Sequence, residues 1–394
     1  MLYHLIDALR PWLIDTGLYR FFQIMDQLEF RVFAAAIVAF LIMFFAGRPF
    51  IAWLLRQKIG DAARFDVDAL DQALASKANT PTMGGLLIAA AIFIATILFA
   101  DLSIPWVQMG LIVLVWHTAV GGIDDWLKLT AARRGSDQRQ GLRAWEKLVA
   151  QLGIGILIGY FAWEAPLRVT TDATQPILEH ALNIPFQKTY ENPSAGVAAG
   201  VIFLNAAVYT AFMTLMMAGM SNAVNITDGM DGLAGGIAAC VAVGLVVLAL
   251  VAGSEPTARS LLVPYVWQSG ELAILASAML GACLGFLWFN ASPAAVFMGD
   301  TGSLCLGGLI GYLAVVLRQE FVVILMCAVF IIEIASVTLQ VGYFKWTKGK
   351  RIFRCAPYHW HLHMGGWPET KIVARAWITT VICVAAALGS MKLR

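Results

Sequence analysis

Long apolar runs alternate along the chain with short polar interruptions. The runs fall at about 32–55, 83–100, 106–123, 147–163, 198–220, 234–252, 271–289, 304–317, 321–344 and 372–391. A helix rises 1.5 Å per residue, so about 20 apolar residues cross the roughly 30 Å of a bilayer's hydrocarbon. Only the eighth run, with 14 residues, is short for that, which leaves the count of ten open by one. In lipid every backbone amide needs an internal partner, and a helix supplies it. The pattern therefore predicts an all-α integral membrane protein of about ten transmembrane helices, with both termini on one side. Residues 1–394 read as a single polytopic domain. Leu2, Leu5, Ile6, Leu9 and Leu13 form a helical stripe, which predicts an interfacial segment over 1–31. Asp7, Arg10, Asp15 and Arg20 interrupt that stretch, unlike the apolar core of a cleavable signal peptide. Segment 164–197, rich in Pro and Thr, predicts an external hairpin or short helices.

Composition and charge sharpen this picture. The chain is 60% hydrophobic and 13% charged, against about 25% charged in soluble proteins. Positively charged loops face the cytoplasm. Loops 48–81, 125–147 and 345–371 carry seventeen Lys and Arg, and the segments on the other side carry nine. That makes the basic side cytoplasmic, and both termini face out. A net charge of +2 gives no footprint for nucleic acid. The six cysteines lack metal or redox spacing and read as small hydrophobes.

Under this orientation the polar clusters converge on the cytoplasmic face. Asp124 and Asp125 are adjacent carboxylates at a membrane boundary, suited to a general base or a metal-linked pair, or to a solvated helix end. Asn222, Asn225, Asp228 and Asp231 recur every three residues. On a continuous helix they would wind half-way round, so the segment reads as a helix end running into a glycine-loosened loop. Such amides and carboxylates can grip a base, a ribose or sugar hydroxyls. Asp300 lies just before a predicted helix N-terminus, as a cap or, with the neighbouring acids, as a Mg²⁺ ligand. Phe297 can stack on a base or fill the core. His359, His361 and His363 alternate, which in an extended loop places them on one side, where they can meet a pyrophosphate. Lys77, Lys128 and Lys147 are cytoplasmic cations that together can screen a diphosphate.

Taken together, these segments resemble the phospho-N-acetylmuramoyl-pentapeptide-transferase family. The resemblance rests on Lys77 to Gly85, the Asp124–Asp125 pair, Asn222 to Ala234, Gly285 to Asn290 with Val296 to Ser303, Arg318 to Glu320, and Arg351 to Pro357 with Gly366 to Glu369. They occur in family order over nearly the whole core. The resemblance implies a ten-helix fold, Mg²⁺ dependence and commonly a homodimer. It implies UDP-N-acetylmuramoyl-pentapeptide and undecaprenyl phosphate as substrates, with lipid I and UMP as products. By the same resemblance Asp300 holds the metal, and Asp124 and Asp125 deprotonate or orient the lipid phosphate. Lys77, Asn225, Asp228, Asp231 and Phe297 line the nucleoside pocket, with Lys147, Asn290 and His359 nearby. Asn222, Lys128 and His361 complete the expected substrate contacts.

Two departures stand out. The family's triple histidine reads His359-Trp360-His361 here, and His363 replaces a usual Glu. Segment Ala131 to Gln140 is longer than that loop is expected to be. Transfer of N-acetylglucosamine phosphate to a polyprenyl phosphate is the alternative within the same chemistry. An ion-coupled transporter is the remoter one, and it requires acids near mid-membrane. One-step attack and a covalent aspartyl intermediate stay equally open.

Overall fold

The computed structural model describes residues 1–57, 80–133, 141–168 and 177–393. Ten long helices match the ten apolar runs: α1 (Leu28–Arg56), α2 (Gly85–Phe99), α3 (Pro105–Arg133), α4 (Ala144–Glu164), α5 (Ala206–Thr227), α6 (Leu233–Ala252), α7 (Leu272–Asn290), α8 (Gly299–Val316), α9 (Ala328–Trp346) and α10 (Glu369–Ser390). Eight of them are long and apolar enough to cross a membrane. Of the other two, α2 has only 15 residues, and α4 carries Glu146, Lys147 and Glu164. The chain is a mostly helical, multi-pass membrane protein. Its outward faces carry apolar side chains such as Phe45, Leu215 and Ile382, each more than half exposed.

Several boundaries differ from the apolar pattern. The fifth helix begins at Ala206 rather than near 198. Ile202–Phe203 (β2) is drawn into an antiparallel pair with Ala181–Leu182 (β1), and Asn205 then caps α5 by accepting from the Val208 amide at 2.9 Å. The ninth run breaks at Cys327 into Glu320–Met326 and α9. The N-terminal stripe forms short helices at Leu2–Ala8, Arg10–Asp15 and Tyr19–Phe22.

Helix α8 is the axis of the bundle, buried from Thr301 through Val316 and packed against α3 and α5. On its flank α7 packs against α1 and α6, and α4 packs against α5. Small residues let such helices touch backbone to backbone. A Cβ at Gly121 of α3 would lie 2.2 Å from the Asp300 carbonyl oxygen. That contact sets the first turn of α8 directly against the C-terminal half of α3.

The opposite end of the bundle is closed by buried ion pairs. Arg318 and Glu320 are both fully buried and 2.6 Å apart. The same guanidinium donates to the Ala181 carbonyl at 2.7 Å. Arg31 meets Glu271 at 2.5 and 2.8 Å, joining α1 to the start of α7.

Candidate active site

Neighbouring residues on a helix point about 100° apart. Asp124 and Asp125 therefore serve different partners, although both are buried. Asp125 faces the start of α8 and accepts from the Asp300 amide (3.1 Å), the Thr301 amide (2.9 Å) and the Thr301 hydroxyl (2.6 Å). It caps that helix in trans, meeting amides that lack a partner within the helix. Gly299 opens α8 with φ +72°, and a Cβ there would lie 2.6 Å from the Asp125 carboxylate. Only glycine suits that position.

Asp124 turns to the lysines. Lys128 Nζ lies 2.5 Å from Asp124 Oδ2 and 3.2 Å from Asp300 Oδ2. Lys147 Nζ lies 3.1 and 2.8 Å from the same two oxygens. Asp124 Oδ1 also accepts from the Leu142 amide at 2.6 Å. Two ammonium groups thus bridge two carboxylates contributed by α3 and α8. Helix α8 starts five residues before its apolar run, so Asp300 stands inside the first turn rather than ahead of it.

Ligand atoms of Asp124, Asp125 and Asp300 all lie within 4.8 Å of one another, a group that could hold a metal ion. Oxygen-only donors suit a hard divalent cation, and Asp124 and Asp300 each turn one oxygen towards both lysines. The oxygens of Asp125 are already engaged by α8. The residues present therefore fit a cation best between Asp300 and Asp124.

The asparagine and aspartate series behaves as a helix end followed by a loop. Helix α5 stops at Thr227 and α6 begins at Leu233. Asn222 donates to Gln151 Oε1 (2.7 Å), and Asn225 donates to Ser303 Oγ (2.9 Å), which ties α5 to the first turns of α8. Asp228 follows the helix. Burial, with Asp300 and Asp125 nearby, pushes its carboxyl up to about 7. Asp231 accepts from the Ala294 amide at 3.1 Å. Asn290 is 4% exposed and spends both ends of its amide on backbone, accepting from Gly232 N (2.9 Å) and donating to Val296 O (2.8 Å). Phe297 is half-buried, its backbone paired with Pro81 and Gly84. Lys77 and most of the long loop after Ala131 lie outside the described residues.

The histidines depart from expectation. Tyr358–His363 is a short helix, not an extended loop, so side chains two apart point to opposite sides. Pro357 precedes it, its fixed φ compatible with a helix start. His359 is 1% exposed and lies against the loop after α5, where a Cβ on Gly229 would fall 2.4 Å from Nε2. His361 instead accepts from the Arg354 amide at 3.1 Å and stacks on Tyr358. His363 Nδ1 meets the Trp367 carbonyl at 3.0 Å.

Sequence reasoning passed over Gln151, Thr301 and Glu333. Gln151 is fully buried between Asn222 and Ser221. Glu333, on α9, lies 3.0 Å from His359 Nδ1. Both are polar groups inside apolar runs, which is itself a signal of function.

The model for glycosyl transferase family 4 matches residues 106–318, more than half of the chain. The first phospho-N-acetylmuramoyl-pentapeptide-transferase signature matches residues 77–88. Proteins of that name from Desulfotalea psychrophila and Oleidesulfovibrio alaskensis are 38% and 39% identical, each over the full length of both chains. One from Chlorobium chlorochromatii is 38% identical over 94% of this chain and 95% of its own. The chain belongs to the phospho-N-acetylmuramoyl-pentapeptide-transferase family. The glycosyl transferase match runs from α3 to Arg318, so it takes in the carboxylates, both bridging lysines and the α5–α6 loop. It ends before Glu333 and His359.

Proposed function

We propose that the carboxylate–lysine cluster carries the family's transfer: phospho-N-acetylmuramoyl-pentapeptide moves from its uridine diphosphate carrier to undecaprenyl phosphate, giving lipid I and UMP. The observation that carries this reading is the sharing of Lys128 and Lys147 between Asp124 and Asp300. Two dense cations beside a site for a divalent ion suit a reaction between two phosphate anions.

An oxygen of the lipid phosphate attacks the β-phosphorus, a new P–O bond forms, and the bond to the bridging oxygen breaks as UMP leaves. Lys128 and Lys147 offset the charge of the diphosphate and of the departing phosphate. Asp124, facing those lysines, keeps the attacking phosphate deprotonated, and Asp125 holds the first turn of α8 in place. Mg²⁺, held by Asp300 with Asp124 beside it, would neutralise the diphosphate and the leaving group. Asn225, Asp228, Asp231 and Phe297, with Lys77, line the nucleoside end, and Asn222 and His361 support it. His359 packs against the same loop.

The same reading makes the chain a bacterial inner-membrane enzyme with ten crossings, both termini periplasmic and this site cytoplasmic. The positive loops and the clustering of polar residues at one end of the bundle support it. A homodimer belongs to it as well, and light scattering in detergent reads that directly.

The test is UMP release from purified protein with Mg²⁺, undecaprenyl phosphate and UDP-N-acetylmuramoyl-pentapeptide, with UDP-N-acetylglucosamine in parallel. Release from the pentapeptide nucleotide alone is expected. Asp300→Asn is expected to lower it by at least about 10³-fold, the scale of losing one preorganised charge at a reacting phosphate. Near-normal turnover in that variant refutes the assignment of the metal. Release from the N-acetylglucosamine nucleotide alone moves the chain to the alternative substrate.

A further inference from the structure

Among the described residues, His359 Nε2 is a buried ring nitrogen without a hydrogen-bond partner. The other nitrogen of that ring is fully engaged. Glu333 Oε2 accepts from His359 Nδ1 at 3.0 Å and from the His359 backbone amide at 3.2 Å. The two residues are 4% and 1% exposed, so water does not compete for either contact. An ionised carboxylate only accepts hydrogen bonds, so a ring nitrogen facing it must carry the hydrogen. The same oxygen also holds the first turn of the Tyr358–His363 helix by its amide. One side chain on α9 therefore fixes both the place of the ring and its tautomer.

The unpartnered Nε2 abuts Gly229, in the loop that carries Asp228 and Asp231 between α5 and α6. A polar atom buried without a partner costs free energy unless a ligand supplies one. We propose that Glu333 is a positioning residue for the transfer: it locks the ring of His359 with hydrogen on Nδ1 and presents Nε2 to the substrate bound at the 228–232 loop. The chemistry offered there is a single directed contact, to a hydroxyl or a phosphate oxygen of the uridine nucleotide. His361 does not duplicate it, since its Nδ1 accepts from a backbone amide, which assigns the opposite tautomer. His361, the third position of the motif, is thus chemically distinct from His359, the first.

This inference rests on the proposed transfer for its kinetic test but not for its spectroscopic one. In histidine-labelled wild-type protein, two-bond ¹⁵N–¹H correlation, assigned with His359→Asn, is expected to show hydrogen on Nδ1 of His359. A ring protonated on Nε2 alone overturns the proposal, whether or not the protein turns over. In the UMP assay, Glu333→Gln, which keeps the shape of the side chain, is expected to lower kcat by on the order of 10–100-fold, by analogy with the carboxylates that orient metal-bound histidines. KM for the nucleotide is expected to change less than about threefold, because the contact is aimed rather than removed. In the His359→Asn background the same change is expected to add less than about twofold. Full activity of Glu333→Gln, or independent losses that multiply in the double variant, overturns the proposal. Absence of turnover in the wild type refutes the transfer reading instead and leaves the ring tautomer as the deciding result.

Discussion

Asp125 offers the sharpest separation of architecture from chemistry. Replacing it by alanine strips the start of α8 of an acceptor shared by two backbone amides and the Thr301 hydroxyl. The hydroxyl can rotate, but the two amides cannot. An orphaned buried donor costs about 1–3 kcal/mol, and loss of a helix cap about 0.5–2 kcal/mol. Asp125→Ala should therefore destabilise the fold by about 2–4 kcal/mol. Asp125→Asn keeps one acceptor oxygen and should cost about half of that. Asp124→Asn differs in kind: its amide oxygen can still accept from Leu142, and the two lysines keep Asp300. Turnover is then lost at a nearly unchanged unfolding temperature. Thermal unfolding in detergent, read beside UMP release for all three variants, checks the contrast. A wild-type unfolding temperature in Asp125→Ala, or a larger drop in Asp124→Asn, refutes the division of labour.

Two further outcomes are expected. The Asp228 carboxyl is pushed up to about 7 in the fold from an ordinary 3.8, so the native state binds its proton more tightly than the unfolded chain does. Its contribution to stability is whole below pH 4 and is lost as pH rises to 7; in Asp228→Asn the unfolding temperature should fall less between pH 5 and pH 8, and an equal fall contradicts the shift. Glu320→Ala leaves Arg318 fully buried without its counter-charge, a loss of about 3–5 kcal/mol, whereas Arg318→Leu with Glu320→Leu should cost less, and the reverse order of unfolding temperatures disproves the pairing.

Much of the fold was legible because the bilayer demands long apolar runs, and each of the ten runs does hold a helix. The break at Cys327 was not, since Met326, Cys327 and Ala328 are apolar on either side of it. The late start of α5 depends on a strand partner some twenty residues earlier, which hydropathy does not register. In the candidate site, the carboxylates and lysines stood out in the sequence as charged groups at one face, but how they divide did not. Asp125 became a cap through amides 175 and 176 residues away. Alternation of His359, His361 and His363 suggested an extended chain, while Pro357 ahead of them was the better cue to a helix. Glu333 was visible as a lone acid within an apolar run, and only its contact with His359 gives it a role.

The sharing of Lys128 and Lys147 has a thermodynamic consequence. Without substrate, the carboxylates and ammonium groups neutralise one another, and neither set is free to bind a second ion strongly. In the proposed transfer, an entering diphosphate would compete for the lysines, and each contact it gained would release oxygens of Asp124 and Asp300. Those oxygens are then better ligands for a cation than they were before. Linkage is reciprocal, so a bound cation must strengthen diphosphate binding by the same factor. Occupation by either one alone is held back by the pairs that must first be broken, and the two together exchange one balanced set of charges for another.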